Sequence, residues 1–413
     1  MKPEVLFLAH RIPYPPDKGD KTRSWHILEF LRERFRVHLA AFVDDARDLV
    51  HRNFLEARCE TVSLVSIDPK LAKLKSLASF ASQKPLSFGY YQDPHMAAAV
   101  KRARQRPLVM EMVFSSTMAP YLEGAKPGVK RVVDFCDSDS EKWRQYSEQS
   151  SWPMSIVYGR EARLLAGAET TIANRVDASF AVTPNEAELF NARSDLNTPV
   201  DWFSNGVDTE FFDPANTEAI NGNPDCMFVG AMDYRANVDG VLSFVRAVWP
   251  LVRQKKPDAS FTIVGANPAA SISALHGDKG ITVTGRVDDV RPWLKAARTV
   301  AAPLTVARGI QNKVLEAMAM EKPVIATPAA MTGIAPPANA GLTVTDANAF
   351  ADGILGLLDN DARRGAMGKA ARAFVVKEFS WPARLSRLDD AFARLGLYTS
   401  SSSSCGSNSS VTN

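Results

Sequence analysis

Short, continuous apolar runs recur along the 413-residue chain, and amphipathic helical patterns separate them. Uninterrupted apolar strands are typical of parallel sheets that helices cover on both faces. The runs form two series, so the sequence predicts an α/β protein with two doubly wound parallel sheets. The first series lies at residues 5–9, 37–43, 61–67, 108–114, 131–136 and 178–183, and the second at 226–230, 261–265, 281–285, 299–304, 323–327 and 342–344.

The chain is longer than one hydrophobic core usually accommodates, which favours two domains. We predict an N-terminal domain at 1–204 and a C-terminal domain at 205–380. Turn-forming residues at 204–214 predict a hinge between them. A helix at about 383–397 is expected to pack back on the first domain, and the serine-rich segment 400–413 to be disordered.

Composition narrows the function classes. Hydrophobic residues make up 46% of the chain and charged residues 23%, and the net charge of +3 is too small to indicate a nucleic-acid partner. The four cysteines lie far apart without Cys-x-x-Cys spacing, which argues against a zinc site or a disulfide framework. The N-terminus lacks a signal-peptide pattern, and no apolar run approaches the roughly 20 residues of a membrane span. We expect a cytoplasmic protein without a metal.

The segment 301–327 carries the strongest local signal. It predicts a buried strand, a loop closed by Gly309, a helix at 310–320 and a second buried strand. Lys313 and Glu316 are three residues apart and share one helix face. Gly309 would allow close approach of a ligand to the first-turn N–H groups. The pattern predicts a diphosphate site with a lysine for charge and a carboxylate for a polyol, and a solvated ion pair is the alternative interpretation.

A second group of candidates follows the first strand. Gly19 lies in a proline-rich loop that leads to a helix from about residue 24, which places it at the carboxyl edge of the sheet, where such folds bind ligands. Cationic and titratable side chains surround this loop. The ligand-binding candidates here are His10, Lys18, Asp20 and Arg23.

Three carboxylates cluster after the fifth strand. Asp134, Asp137 and Asp139 lie at a carboxyl end, where catalytic or hydroxyl-binding carboxylates belong in this architecture. A metal triad is one alternative for them. Capping of the following helix by residues 138 and 139 is the other.

A basic amphipathic segment spans residues 68–91. Its lysines, at 70, 73, 75 and 84, alternate with large apolar residues. Such a segment can lie on an anionic membrane, here the inner face of the plasma membrane. The alternative is a packing helix with a solvated face.

Six motifs in order resemble the retaining glycosyltransferases of family 4, which have the GT-B fold. They are the PPDKGD loop at 15–20, SNGVD at 204–208, FVGAMDYRANVDG at 228–240, FTIVGA at 261–266, TGRVDDVRPWL at 284–294 and GxxxKxxEAMA at 309–319. The HRIPYPPDKGDKTR, VVDFCDSDSEKW and ARGIQNKVLEAMAM stretches resemble, more narrowly, sugar transferases of exopolysaccharide and PEP-CTERM/exosortase gene clusters.

The resemblance implies two Rossmann-like domains facing each other across a cleft. The C-terminal domain would bind a UDP- or GDP-linked sugar donor, and the N-terminal domain a saccharide or polyprenyl-diphosphate-linked acceptor. Glu316 would bind the ribose, Asp289 and Val290 would flank the base, and Gly19 would approach the diphosphate from the other domain. The remaining implied donor-site residues are Gly230, Asn237, Gly265, Arg286, Gly309, Ile310 and Lys313.

The sequence also departs from the family pattern. Arg308 stands where the first of two glutamates is common, and the usual Arg–Lys pair after the first strand of the second domain is missing. Arg308 and Lys313 are our candidates to replace that charge, with Arg235 a weaker one. The usual histidine after the VVDFCD strand is not evident, which leaves Asp137 or Asp134 nearby. The catalytic candidates are therefore Asp137, Arg308 and Lys313.

The predicted reaction is metal-independent transfer of a sugar from a nucleoside diphosphate to an acceptor hydroxyl with retention of configuration. It requires no cofactor beyond the donor itself. Two alternatives stay open. One is a non-catalytic, nucleotide-binding partner subunit, and the other is an epimerase that acts on a UDP-amino sugar.

Overall fold

The computed structural model describes residues 2–16, 18–76, 79, 83–307 and 310–398. The chain divides into two compact units. The first consists of Met1–Ser204 and the chain from Leu385 onward, and the second of Asn205–Arg384. The candidates Arg308 and Gly309, and the tail at 400–413, lie outside the described residues.

The first unit contains a seven-stranded parallel sheet in the order β3-β2-β1-β4-β5-β6-β7. Every residue of β1 is buried, as expected of a central strand covered on both faces. The strands are β1 (Glu4–Ala9), β2 (Arg36–Val43), β3 (Thr61–Ser66), β4 (Leu108–Phe114), β5 (Lys130–Cys136), β6 (Ala178–Ala181) and β7 (Asp201–Trp202).

Helices connect these strands, and the last helix of the chain returns to this unit. Phe392 packs near Phe30 and Phe35, with ring centroids 5.9 and 6.1 Å away, and Arg34 Nε donates to Asp389 at 2.8 Å. The helices are α1 (Gly19–Arg34), α2 (Arg52–Glu56), α3 (Pro69–Ser76), α4 (Leu86–Tyr90), α5 (Pro94–Ala103), α6 (Asp139–Gln149), α7 (Met154–Arg175), α8 (Pro184–Asn191) and, at the end of the chain, α16 (Trp381–Arg394).

The second unit contains a six-stranded sheet in the order β10-β9-β8-β11-β12-β13. All its strand pairs are parallel. The strands are β8 (Cys226–Val229), β9 (Phe261–Val264), β10 (Ile281–Gly285), β11 (Thr299–Ala302), β12 (Val324–Ala326) and β13 (Leu342–Thr343). The helices are α9 (Arg235–Ala247), α10 (Trp249–Lys255), α11 (Ala270–Ser273), α12 (Arg291–Ala296), α13 (Asn312–Ala319), α14 (Ala347–Leu358) and α15 (Asp361–Phe379).

The apolar periodicity of the sequence predicts a helix at 238–253 and a long helical region from 137 to about 174, and both are wrong in extent because prolines interrupt them. The helical pattern at 238–253 is split into α9 and α10, with Pro250 at the start of α10. The region from 137 to about 174 is likewise two helices, and Pro153 immediately precedes α7. Proline lacks the N–H that a helix interior needs, so it is tolerated in a first turn but not between turns.

The predicted start of the first helix is also wrong. Gly19 is not a loop residue but the first residue of α1, five positions before the predicted start. The carbonyl of Lys18 accepts from Thr22 N at 2.7 Å, and Asp20 places negative charge in the first turn, which suits the helix dipole. No helix in the described part of the chain is long and apolar enough to cross a membrane.

Candidate functional site

Three glycines lie side by side at the carboxyl edge of the second sheet. Gly230 N donates to Val264 O at 3.0 Å, and Gly265 N donates to Gly285 O at 3.2 Å. A Cβ on Gly265, whose φ is +159°, would lie 1.7 Å from the carbonyl oxygen of Gly230. A side chain is therefore excluded at Gly265, and the three glycines together leave the edge as bare backbone that a ligand can approach.

Lys313 projects from the first turn of α13 toward this edge. Its Nζ hydrogen-bonds Asn237 Oδ1 and lies 5.0 Å from the ring centroid of Phe228. A Cβ on Gly230 would come within 2.7 Å of Asn237 Nδ2 and 3.1 Å of Lys313 Nζ. The glycine thus makes room for the ammonium group, and partial burial lowers the pKa of Lys313 to about 8.

Asn237 holds this lysine in place. Its side chain is 3% exposed, and its Nδ2 donates to Ala231 O at 2.8 Å. Both functional atoms of the amide are therefore engaged within the protein. The structure gives Asn237 a positioning contact with Lys313, and its predicted contact with the donor stays a prediction.

Glu316 lies one turn beyond Lys313 on the same helix. No hydrogen-bond donor among the described residues reaches its carboxylate, although the residue is only partly exposed. Burial raises its pKa to about 7, against a smaller opposing effect from Lys313. A half-buried carboxylate without a donor can accept hydrogen bonds from ligand hydroxyls.

Replacing Glu316 with glutamine should reduce the pH dependence of stability. The pKa of Glu316 is about 7 in the folded protein against an ordinary 4.5. Between these values the folded protein retains a proton that the unfolded chain has released, so the free energy of unfolding falls as pH rises. We expect wild type to lose about 1–2 kcal/mol more than the variant from pH 4.5 to 7, after allowance for partial exposure. Urea unfolding at both pH values measures this, and parallel profiles would contradict it.

The other donor-side candidates lie around this edge with different environments. Asp289 accepts from Arg291 N at 2.9 Å and pairs with the Arg291 guanidinium at 2.7 Å, which lowers the pKa of the carboxyl. Val290 is partly exposed at the start of α12. Arg286 is exposed and makes no ion pair with a described residue. Ile310 packs beside Gly333, since a Cβ added to Gly333 would lie 3.2 Å from Ile310 Cγ1.

His10 and Asp20 meet at the carboxyl edge of the first sheet. His10 Nε2 lies 3.4 Å from Asp20 Oδ2, and Arg11 pairs with both Asp20 and Asp44. Burial alone would raise the pKa of Asp20, but the hydrogen bond with His10 and the charge of Arg11 hold it well below the usual value. Lys18 is exposed beside this cluster, and a Cβ on Gly19 would meet no protein atom.

Arg23 and Asp134 form a buried pair rather than a ligand surface. Both side chains are 0% exposed. Arg23 Nε and Nη2 donate to the Asp134 carboxylate at 2.7 and 3.0 Å, and Nη1 donates to Phe203 O at 2.9 Å. Under the family resemblance both residues are candidates for the acceptor side, and this burial does not fit that role because both side chains are shielded from a ligand.

The other two aspartates differ from each other. Asp139 is half-buried in the first turn of α6 and accepts from Ser116 Oγ at 2.9 Å, and burial raises its pKa. Asp137 is exposed, and partial withdrawal from water together with the Asp139 charge raises its pKa. No group of three or more His, Cys, Asp or Glu residues in the described ranges is arranged to hold a metal ion.

Sequence reasoning missed two strained residues beside these aspartates. Ser115 has φ +81° immediately after β4, and Cys136 has φ +65° at the end of β5. Non-glycine residues in this region are uncommon and concentrate at functional sites. Neither residue belongs to a pattern that marks positive φ in a sequence, so only the backbone reveals them.

Residues 223–360, which include β8 to β13, Lys313 and Glu316, match the family model described as Glycosyl transferases group 1. This match confirms the predicted glycosyltransferase class for that part of the chain. A GDP-mannose-dependent monoacylated alpha-(1-6)-phosphatidylinositol monomannoside mannosyltransferase of Corynebacterium glutamicum is 30% identical over 241 residues. The alignment covers 52% of this chain and 62% of that enzyme, so the chain spans less than two thirds of the relative's length.

Solved structures resemble the whole described architecture. The HepE protein of Anabaena in complex with UDP has a TM-score of 0.62 at 16% identity, with 95% of this chain and 100% of that chain covered. Sucrose-phosphate synthase from Thermosynechococcus elongatus has a TM-score of 0.62 at 18% identity, with 96% and 99% covered. These likenesses confirm the predicted GT-B fold of two Rossmann-like domains.

Proposed function

We propose that the protein is a retaining glycosyltransferase that moves a sugar from a nucleoside diphosphate to a saccharide acceptor. The observation that carries the proposal is the position of Lys313 at the glycine edge of the second sheet, with Glu316 three residues further along the same helix. One side chain supplies positive charge, and the other supplies a carboxylate without a protein donor. These are the two groups that a diphosphate and a ribose require.

The donor is assigned to the second unit. Glu316 would accept from the ribose hydroxyls, and Lys313 would face the diphosphate. The first-turn N–H groups of α13 would add donors for the phosphate oxygens. Arg286, exposed at the end of β10, is a further cation at the same edge.

In this proposal, catalysis depends mainly on stabilising the negative charge of the leaving group. Negative charge develops on the leaving diphosphate as the bond to the anomeric carbon breaks. An ammonium group and backbone dipoles that are already oriented stabilise it without reorganisation. The phosphate can take the proton of the acceptor hydroxyl, so no protein base is required. We therefore expect turnover to persist in EDTA.

The acceptor is assigned to the first unit, around His10, Asp20 and Asp139. The relative from Corynebacterium glutamicum is named for a phosphatidylinositol mannoside acceptor, and this supports a saccharide that is lipid-linked here too. We propose a polyprenyl-diphosphate-linked saccharide of exopolysaccharide synthesis. The protein would act in the cytoplasm and rest on the inner face of the plasma membrane through the basic segment at 68–91.

Truncation of Glu316 tests the donor assignment. Glu316→Ala should weaken binding of the preferred nucleoside diphosphate by about 1–3 kcal/mol, because ribose hydroxyls lose their acceptor in a partly buried place. Calorimetric titration with UDP, GDP, ADP, TDP and CMP measures this and identifies the base. Glu378→Ala, at a half-exposed glutamate of α15, is the control. Wild-type affinity in the Glu316 variant would remove this residue from the donor site.

A further inference from the structure

A cavity of about 1220 Å³ lies within the first unit, apart from the aspartate cluster. One wall is the second half of α7. The facing wall comprises α4, the start of α5 and the 3₁₀ turn Ser116–Leu122 with the residues that follow it. We call this cavity the α7 groove. The function proposed above assigns no ligand to this groove.

Small residues on α7 create the floor of the α7 groove. The α7 residues that line the floor recur at a spacing of three to four and share one helix face. They include Arg163, Gly167, Ala168, Thr171, Ile172 and Arg175. Gly167 and Ala168 leave the middle shallow, and a Cβ on Gly167 would meet no atom within 4 Å. The two arginines are twelve residues apart, so cations mark the floor over about 18 Å.

The charge of the groove is strongly unbalanced. Its cations are Lys75, Lys84, Arg131, Arg163 and Arg175. None of these five makes an ion pair with any residue in the described ranges. The acidic residues that line the groove are Asp93 and Glu123, and the Asp93 carboxylate already accepts from His95 N at the start of α5. An excess of unpaired cations over carboxylates favours an anionic ligand.

The remaining lining mixes apolar and aromatic residues with uncharged polar ones such as Gln83, Gln92 and Thr117. Phe88, Tyr91 and Tyr121 line the wall opposite α7. The hydroxyl of Tyr121 donates to Tyr91 O at 2.6 Å, so it is already satisfied within the wall. On α3, Leu71 and Leu74 lie four residues and one residue before Lys75 and are 56% and 66% exposed. Exposed apolar side chains are therefore on the same helix as one of the cations of the groove.

We infer that the α7 groove binds the lipid diphosphate of the acceptor, with the isoprenoid chain along the apolar wall and the diphosphate at the cations. This inference rests on the proposed function, since it names the subsite for that acceptor. A free sugar offers no anion to five cations, and a nucleotide has no chain for the apolar wall. An anion joined to a long hydrocarbon satisfies both parts of the lining.

Farnesyl diphosphate, a short isoprenoid diphosphate, is the probe for this site. Below its micellar concentration we expect it to bind at least tenfold more tightly than inorganic diphosphate or farnesol. Gly167→Leu fills the groove without a backbone clash and should weaken binding at least tenfold. The double substitution Arg163→Gln and Arg175→Gln should also weaken binding of farnesyl diphosphate at least tenfold, and it should reduce the dependence of the affinity on salt concentration. Gly365→Leu, at a second helical glycine whose added Cβ meets no atom, should leave binding unchanged.

Two results would overturn the inference. The first is that farnesyl diphosphate binds no more tightly than inorganic diphosphate. The second is that a Gly167→Leu protein, shown by circular dichroism to be folded, binds farnesyl diphosphate with wild-type affinity. Phosphatidylglycerol vesicles that bind as strongly and lose binding in the same variant would make the groove a phospholipid site instead. Nucleotide titration of each sample separates the failures. If a sample does not bind farnesyl diphosphate but still binds nucleotide, only the assignment of the groove fails. If the wild-type protein binds no nucleotide, the proposed function is contradicted.

Discussion

Lys313→Met should lower kcat for sugar transfer by about 10²–10³, the loss typical of removing one preorganised charge-stabilising group. Contacts with Asn237 and Phe228 hold the lysine at the glycine edge of the second sheet. Initial rates with a saturating donor measure the effect. KM should change less than kcat, because the charge matters most when the diphosphate leaves.

The pH profile provides the control for this prediction. The pKa of Lys313 is about 8, so its charge is lost as pH rises through that value, and the wild-type rate should fall above about pH 8. Lys313→Met should lack that fall. Lys369→Met, at an exposed lysine of α15, should keep both the rate and the profile. A Lys313→Met enzyme with the wild-type rate would exclude Lys313 from the chemistry.

Arg23→Met should reduce the free energy of unfolding by about 3–5 kcal/mol, the cost of leaving a buried charge without its partner. The substitution strands the Asp134 carboxylate, which is 0% exposed and accepts two hydrogen bonds from Arg23. It also removes the guanidinium that lies 3.8 Å from the ring centroid of Phe203. Urea denaturation measures the loss.

Two further variants separate this effect from a general loss of charge. Arg47 is 91% exposed and pairs with Asp45, so Arg47→Met should cost less than about 1 kcal/mol. Adding Asp134→Asn to Arg23→Met removes the stranded charge and should recover part of the stability. A loss below about 1 kcal/mol for Arg23→Met alone would show that the pair does not hold the first unit together.

Much of the fold was predictable because parallel strands buried on both faces leave a direct mark on the sequence. The glycines that end β8, β9 and β10 were also visible, since backbone conformation and close approach restrict those positions. Lys313 and Glu316 could be paired from local spacing alone. The helix boundaries at Pro153 and Pro250 were missed because the predictions followed the apolar periodicity across each proline. The prolines themselves were a visible signal of a boundary.

The contacts that assign roles were not predictable, because they join distant parts of the chain. Lys313 and Asn237 are 76 residues apart, and Arg23 and Asp134 are 111 residues apart. A charged residue in a sequence gives no sign of whether it will be buried with a partner. Arg23 and Asp134 therefore resembled ligand-binding groups as much as His10 or Asp139 did.

The most direct test of sugar transfer is nuclear magnetic resonance of the purified protein with each of a panel of UDP- and GDP-linked sugars and a lipid-linked saccharide. We predict release of one nucleoside diphosphate, a new glycosidic linkage with the anomeric configuration of the donor, and about 10²–10³ slower release in Lys313→Met. Tight nucleotide binding with every donor intact would contradict this and indicate a non-catalytic partner subunit. An isomerised sugar still attached to its nucleotide would indicate an epimerase.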